Sequence, residues 1–297
     1  MRGQCGLIAP IPVEHMTLVE HPKVSGPDTI FSENSTSPLI KWPGGKRRLL
    51  KHIGPLLPRR YKRYFEPFFG GGALFFALRP AQSVLSDRNP DLIEMYMAVR
   101  DSPNALVSRL SVMPNDEDEY YRIRDSQPRT KLDRAARFIY LTNLAFNGIH
   151  RVNQQGRFNV PYGHKPHMPA FDATLIAHAS RALRGAILDS VDFDESLKDA
   201  RSGDLVYLDP PYTVAHSNNG FIKYNATIFS WEDQERLAAT AARLSRRGCR
   251  VLSSNADHPS IRKLYPEFKT HTLQRHSVMA ASSKFRQEIT ECIFHNG

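Results

Sequence analysis

Tyr64-Phe65-Glu66-Pro67-Phe68-Phe69-Gly70-Gly71-Gly72-Ala73, with Ser83-Val84-Leu85-Ser86-Asp87 after it, is the stretch that decides the fold. Tyr64 to Glu66 reads as a short strand. The glycines then make a turn where backbone can approach a ligand closely, because no side chain stands in the way. Ala73 to Leu78 starts a helix whose free N–H groups face that turn. Ser83 to Ser86 is a second strand, ending on Asp87, and a helix follows from about Pro90 to Arg100. Strand, glycine turn, helix and strand together make an α/β mononucleotide-binding unit. The turn is not G-x-G-x-x-G, so a nicotinamide cofactor is a poor match. Asp87 lies at about the spacing, roughly 20 residues, at which an acid bonds ribose hydroxyls in such units. Singly, the glycines read as a tight turn and Asp87 as a helix cap; together they favour a nucleoside-containing ligand.

The pattern extends in both directions. Upstream, Lys41-Trp42-Pro43-Gly44-Gly45-Lys46 joins two cations, an indole and a Gly-Gly turn. An adenine or a sulfonium fits against Trp42, and Lys46 can hold a carboxylate. The phosphate-loop spacing G-x-x-x-x-G-K-[ST] is absent, which argues against a nucleotide triphosphatase. Downstream, Asp101 to Arg151 turns helical, with an apolar stripe at Phe138, Ile139, Leu141, Leu144 and Ala145. Phe158 to Gly163 reads as hairpin or loop. The α/β pattern resumes at Ile187 to Phe193 and at Leu205-Val206-Tyr207-Leu208. Ser230 caps a helix with Asp233 reaching back, and Gly248 ends it. Arg250 to Ser254 is another strand, and Phe268–Arg275 with Glu288–His295 form a final antiparallel pair.

Asp209-Pro210-Pro211-Tyr212 follows the apolar run at 205–208 directly. The Asp209 carboxylate and the Pro210 carbonyl can both accept hydrogen bonds from one small donor, and Tyr212 offers a face for a planar ring. An exocyclic amine on a flat heterocycle, such as N6 of adenine, uses all three.

The chain has 297 residues and a formal charge of +10. Residues 41–64 carry nine Lys/Arg and no acid, and residues 120–167 carry nine against two acids, on a body that is otherwise net acidic. Two basic segments point to a polyanionic partner, or else to solvated helix faces. No apolar run approaches the roughly 20 residues of a membrane helix. The three cysteines form no CxxC, which fits a reducing cytoplasm, and no His/Asp cluster has metal-ligand spacing. Neither H-E-x-x-H nor Gly-x-Ser-x-Gly occurs. Residues 1–37, rich in Pro, Ser, Thr and Glu, read as an irregular or flexible extension.

In order, Lys41-Trp42-x-Gly44-Gly45-Lys46, Glu66-Pro67-Phe68-x-Gly70-x-Gly72, Asp87-x-Asn89 and Asp209-Pro210-Pro211-Tyr212 resemble the Dam-type family of DNA N6-adenine methyltransferases (D12 class, alpha group). Asn147-Gly148-Ile149-His150-Arg151 with Gly156 to Gly163 resembles that family's DNA-reading hairpin. Phe221 to Phe229 resembles its flexible loop, and Ser253-Ser254-Asn255 a later core-strand motif. The resemblance covers about Pro38 to Phe294.

The resemblance implies a doubly wound α/β S-adenosylmethionine-dependent methyltransferase fold, mostly parallel with a final antiparallel strand. Residues 38–92 and 168–297 would form the catalytic domain, and 93–167 an inserted helical and β-hairpin recognition domain. It places Trp42, Lys46, Asp87 and Asp209 on the cofactor S-adenosylmethionine, with Glu66, Phe68 and Gly70 shaping its pocket and Asp192-Phe193 flanking its adenine. Asp209, Pro210, Pro211 and Tyr212 would be catalytic. Lys41, Asn147, Arg151, Asn153 and Arg157 would meet double-stranded DNA, the arginines reading guanine or touching phosphate, and Asn147 or Asn153 reading adenine. The expected protein is a cytoplasmic monomer or weak dimer with no metal and no membrane partner, and a restriction endonuclease is a candidate companion. Rival readings are methylation of another amine (cytosine N4, an RNA adenine) and a non-catalytic DNA-binding regulator on the same fold.

Overall fold

In the computed structural model, seven strands make one sheet: β1 Tyr64–Glu66, β2 Ser83–Ser86, β3 Ile187–Asp189, β4 Leu205–Leu208, β5 Arg250–Ala256, β6 Lys269–His276 and β7 Glu288–His295. The structure describes residues 19–20, 37–153, 155–213, 229–276 and 288–297. The expected extension at 1–37 and the loop expected at Phe221 to Phe229 therefore fall largely outside the described residues. Only a two-residue strand, Val19–Glu20, is described before Ser37; it pairs antiparallel with Arg60–Tyr61.

The spatial order is β3-β2-β1-β4-β5-β7-β6. The first five strands are parallel, and β7 runs antiparallel to both β5 and β6. Every residue of β1 and β4 is buried, because both faces of the sheet are covered. That burial is why these strands read as unbroken apolar runs rather than alternating ones. Edge strand β3 alternates instead, with Ile187 and Asp189 exposed around buried Leu188. The strand expected at Ile187 to Phe193 stops at Asp189, and Phe193 opens a short helix.

Helices cover both faces: α1 Ala73–Leu78, α2 Pro90–Asp101, α3 Pro103–Ser111, α4 Glu117–Asp125, α5 Lys131–Leu144, α6 Ala173–Leu183, α7 Phe193–Ser196, α8 Trp231–Arg246 and α9 Pro259–Leu264. Their starts are encoded locally. Asn89 accepts from the N–H groups of Asp91 and Leu92 with Pro90 at the first helical position, and Thr130 accepts from Asp133. Ser230 and Asp233 form the expected reciprocal cap of α8. Helices α6 and α9 were not anticipated from the pattern.

On one face, Phe69, Phe75, Phe76 and Tyr96 join the stripe of α5 in a continuous apolar core. On the other, Phe65, Val206 and Val251 pack under Leu237, Ala241 and Leu244 of α8. Between β2 and β3 the chain makes five helices, α2 to α6, where one suffices to cross over. Two isolated bridges, Ala145↔Tyr162 and Val152↔Phe158, follow α5. From β1 the chain proceeds outward through β2 and β3, then returns to β4 on the other side. That reversal leaves a crevice at the carboxyl ends of β1 and β4, where open α/β sheets bind ligands.

Candidate active site

A cavity of about 940 Å³ opens at this crevice. Its walls come from the segments at 37–47, 66–74, 87–89 and 209–212, joined by Asn143, His150 and Val152. Trp42, Lys46, Glu66, Phe68, Gly70, Asp87 and Asp209 all line it, so seven of the expected cofactor residues converge.

The glycine turn is fitted to the indole. Gly70 has φ of 46°, and a Cβ there would stand 2.7 Å from Trp42 Cδ1. At Gly72 (φ of 64°) a Cβ would stand 2.5 Å from Phe69 Cε2. Both positions thus need glycine for conformation and for space. Asp87 locks the turn from below: Oδ2 accepts from Gly70 N at 3.0 Å and Oδ1 from Asn89 N at 3.0 Å. Burial pushes the Asp87 carboxyl above its usual range, and those two N–H groups oppose the shift. Trp42 is itself stacked on His150, at a ring separation of 5.0 Å. Burial, helped by Arg137, lowers the His150 imidazole to about 4, so a neutral ring faces the indole.

Glu66 is buried and accepts a 2.8 Å hydrogen bond from the Tyr64 hydroxyl. Burial raises its carboxyl well above the carboxylate range; Tyr64 opposes this, and the Asp209 charge adds to it. The Lys46 ammonium, only 6% exposed, sits 3.1 Å from Asp209 Oδ1. It also donates to the Gly44 carbonyl at 2.8 Å and lies 4.5 Å from the centroid of the Tyr212 ring. One nitrogen is therefore held by a carboxylate and an aromatic face together.

The Asp209–Tyr212 turn is braced from behind. The Tyr212 hydroxyl donates to Glu291 Oε2 on β7 at 3.1 Å, and Gln234 Nε2 on α8 donates to the Pro211 carbonyl at 3.0 Å. Burial, with Asp209 and Glu291 nearby, pushes the Tyr212 phenol well above its ordinary value. Neither Gln234 nor Glu291 was singled out from the sequence. Gln234 carried a signal, a polar residue in the apolar stripe of α8. Glu291 carried none, since it lies 79 residues from its partner.

Asp192 and Phe193 do not line the cavity. Asp192 caps α7 and forms an ion pair with Arg236 at 2.7 Å, which holds its carboxyl below the usual range. Phe193 packs behind Phe68, ring centroids 5.7 Å apart. The residues expected at the DNA divide similarly. Lys41, Asn147, Arg151 and Arg157 are exposed near the cavity mouth or on the segment beyond α5. Arg151 Nε donates to Asn159 Oδ1 at 2.9 Å. Asn153 is exposed too, but its Oδ1 is engaged in its own turn, accepting from the backbone N–H groups of Gln155 and Arg157.

Among the described residues, no group of three or more His, Cys, Asp or Glu could hold a metal ion, and no helix is long and apolar enough to cross a membrane.

The strand order, with β7 alone reversed and a cavity at the β1/β4 crevice, defines the S-adenosylmethionine-dependent methyltransferase class of α/β folds. Comparison with known proteins narrows this. Residues 42–279 match the D12 class N6 adenine-specific DNA methyltransferase family. The chain is 39% identical over 269 residues to the type II methyltransferase M1.LlaDCHI of Lactococcus lactis subsp. cremoris, covering 87% of this chain and 95% of that protein. It is 32% identical over 262 residues to the DNA adenine methylase of Escherichia coli (strain K12), covering 86% and 93%. Identity to the DNA adenine methylase of Vibrio cholerae O1 is 31% over 263 residues, covering 86% and 94%. The chain belongs to the D12 class of N6 adenine-specific DNA methyltransferases, and its reaction is methylation of adenine N6 in DNA.

Proposed function

We propose that S-adenosylmethionine lies along the glycine turn and that a flipped adenine meets it at Asp209–Tyr212. The observation that carries this reading is the Lys46 nitrogen, held 3.1 Å from Asp209 and 4.5 Å from the Tyr212 ring centroid. A seat that takes an N–H donor under an aromatic face suits the amine of a flat base.

The donor set of the cavity fits the cofactor. Trp42 and the side-chain-free turn accept a planar base, Asp87 and Glu66 offer acceptors for hydroxyls, and Lys46 offers an ammonium for a carboxylate. When bound, the cofactor supplies an electrophilic methyl group on a sulfonium. Phe68 closes the pocket with Phe193 as its backing.

The chain's own residues do the rest. Extruding a base costs on the order of a few kcal/mol. Stacking on Tyr212 recovers about 1–3 kcal/mol, and basic residues on the phosphates supply the remainder. The amine lone pair is delocalised into the purine and is a weak nucleophile. Hydrogen bonds from the amine to the Asp209 carboxylate and the Pro210 carbonyl draw the nitrogen toward tetrahedral geometry and localise that pair. Pro210 and Pro211 have no N–H, so the seat presents acceptors only. Lys46, 3.1 Å from Asp209 Oδ1, aims the carboxylate and then yields it to the incoming amine. After methylation the nitrogen is cationic and acidic, so no strong base is needed. Alignment and electrostatics account for the rate.

Residues 93–167 read the DNA, with 38–92 and 168–297 forming the catalytic body. Arg151, steadied by Asn159, and Arg157 face guanine or phosphate, and Lys41 the backbone near the mouth. Asn147 is the better adenine reader, because the Asn153 oxygen is already engaged in its turn. The type II name of the Lactococcus lactis relative favours a restriction–modification setting.

The test is sequencing of DNA from cells expressing the chain, by a method that detects N6-methyladenine. The mark is expected in one sequence context and lost with Asp209→Ala. Methylation surviving that substitution overturns the site assignment.

A further inference from the structure

The turn that presents the amine acceptors has an unusual difficulty. Loops are held in place largely by their backbone N–H groups. Pro210 and Pro211 have none, so this one must be held through its carbonyls and side chains. The fold supplies two such holds. Tyr212 is tied to Glu291 on β7, and the Pro211 carbonyl accepts from Gln234 Nε2 at 3.0 Å.

Gln234 does not act alone. Its Oε1 accepts from Asn255 Nδ2 at 2.9 Å, and Asn255 Oδ1 accepts from the backbone N–H of Ala256 at 2.8 Å. Gln234 and Asn255 are both 0% exposed. Asn255 belongs to β5, Gln234 to α8 and Pro211 to the end of β4, so the chain of bonds spans three elements. Each amide is oriented by its neighbour: only Nε2 can face a carbonyl, and only Oε1 can face Asn255 Nδ2. Leu237, Ala238 and Ala241 occupy the same face of α8 and are buried. An apolar residue at 234 would suit that stripe and would leave the Pro211 carbonyl unmatched.

The consequence lies one peptide upstream. The direction of the Pro210 carbonyl relative to the Pro211 carbonyl depends on φ and ψ of Pro211. The pyrrolidine ring fixes φ near −65°. The bond from Gln234 fixes the Pro211 carbonyl and hence ψ. We propose that Gln234, held by Asn255, is a positioning residue for methyl transfer: it aims the Pro210 carbonyl at the target amine. It touches neither base nor cofactor. The inference rests on the reading that Asp209 and the Pro210 carbonyl receive that amine.

The test is single-turnover transfer of a tritiated methyl group to duplex DNA, with cofactor affinity, DNA affinity and thermal melting measured on each protein. Gln234→Glu keeps the shape and the acceptor for Asn255 but turns an ionised oxygen toward the Pro211 carbonyl. A buried carboxyl titrates above its usual range, and once protonated it becomes a donor again. At pH 8.5 the single-turnover rate of Gln234→Glu is expected to fall by about 30- to 100-fold, the scale set by a misplacement of about 1 Å. The deficit should narrow as the pH is lowered toward 6, while Gln234→Ala stays slow throughout. Asp209, Tyr212 and Glu291 are common to parent and variants, so the rates are compared as a ratio at each pH. Affinities for cofactor and DNA should stay within about threefold.

A folded Gln234→Glu protein within twofold of the parent at pH 8.5 overturns the proposal. So does a deficit that does not change with pH, or one matched by equal losses in binding. If Gln234→Ala fails to fold, the isosteric Gln234→Glu carries the test. Asp209→Asn in the same assay separates the two layers. Parent-like rates for Asp209→Asn reject the reading of the site, whereas an inactive Asp209→Asn beside a normal Gln234→Glu rejects only the role of Gln234.

Discussion

The ends of β1 and β4 face each other across the same cavity, and they are built on opposite principles. The loop after β1 is glycine, and its shape comes from within: positive φ at Gly70 and Gly72, an N–H given to Asp87, an indole laid on the bare backbone. The loop after β4 is proline, and its shape comes from outside, through Gln234 and Glu291. One loop offers donors and room; the other offers acceptors on a rigid arm. A glycine loop is damaged by what is added to it, and a proline loop by what is taken from its supports.

That contrast can be broken in graded steps. The largest effect is expected at the proline loop itself. Asp209→Ala should reduce methyl transfer by about 10³-fold or more, with DNA affinity within a few fold, as measured by tritium incorporation and a binding titration. At the glycine loop, Gly70→Ala should cost about 1–3 kcal/mol by denaturant melting and weaken the cofactor in calorimetry. In a Trp42→Ala background the same substitution should cost less, because the clash is with the indole. An equal cost of Gly70→Ala with and without the indole would show that conformation alone demands glycine there. Tyr212→Phe keeps the ring and removes the bond to Glu291. Transfer should fall about tenfold, in line with one lost hydrogen bond, and far less than for Tyr212→Ala.

The smallest effect belongs to a residue expected in the site that lies beside it. Asp192 is paired with Arg236 and about a third exposed, so Asp192→Asn should cost only about 0.2–1 kcal/mol. The pairing lowers the folded-state pKa of Asp192, so its stabilisation is complete above the unfolded value near 3.9 and vanishes as pH falls through the lower folded one. Melting curves of parent and variant should therefore differ at neutral pH and converge below about pH 4. A loss of cofactor affinity beyond about threefold in the same variant would place Asp192 on the ligand after all.

What could be read from the chain follows from how local each feature is. β1 and β4 were legible because burial on both faces leaves an apolar run next to its turn chemistry. The cap at Ser230 was legible because partner and cap lie within three residues, whereas the cap of α2 is Asn89 and not the Asp87 that reads as one in sequence. β3 was overdrawn because an edge strand buries only Leu188, and the apolar Phe193 beyond it belongs to α7. The cavity motifs were legible as motifs, but the way Trp42 lies on Gly70 was not. Glu291 was invisible: the final antiparallel pair was legible, but nothing near Glu291 in sequence indicates that β7 enters beside β5 and delivers it to Tyr212.

That reversal also orders events in time. β7 is the last of the seven strands to be synthesised, and it enters the interior of the sheet, between β5 and β6, rather than its edge. A growing chain can display the glycine turn, Asp87 and the whole Asp209–Tyr212 arm while the phenol still lacks its acceptor. The hold of Tyr212 on Glu291 thus forms only once β7 has been threaded between β5 and β6, so the arm is braced last.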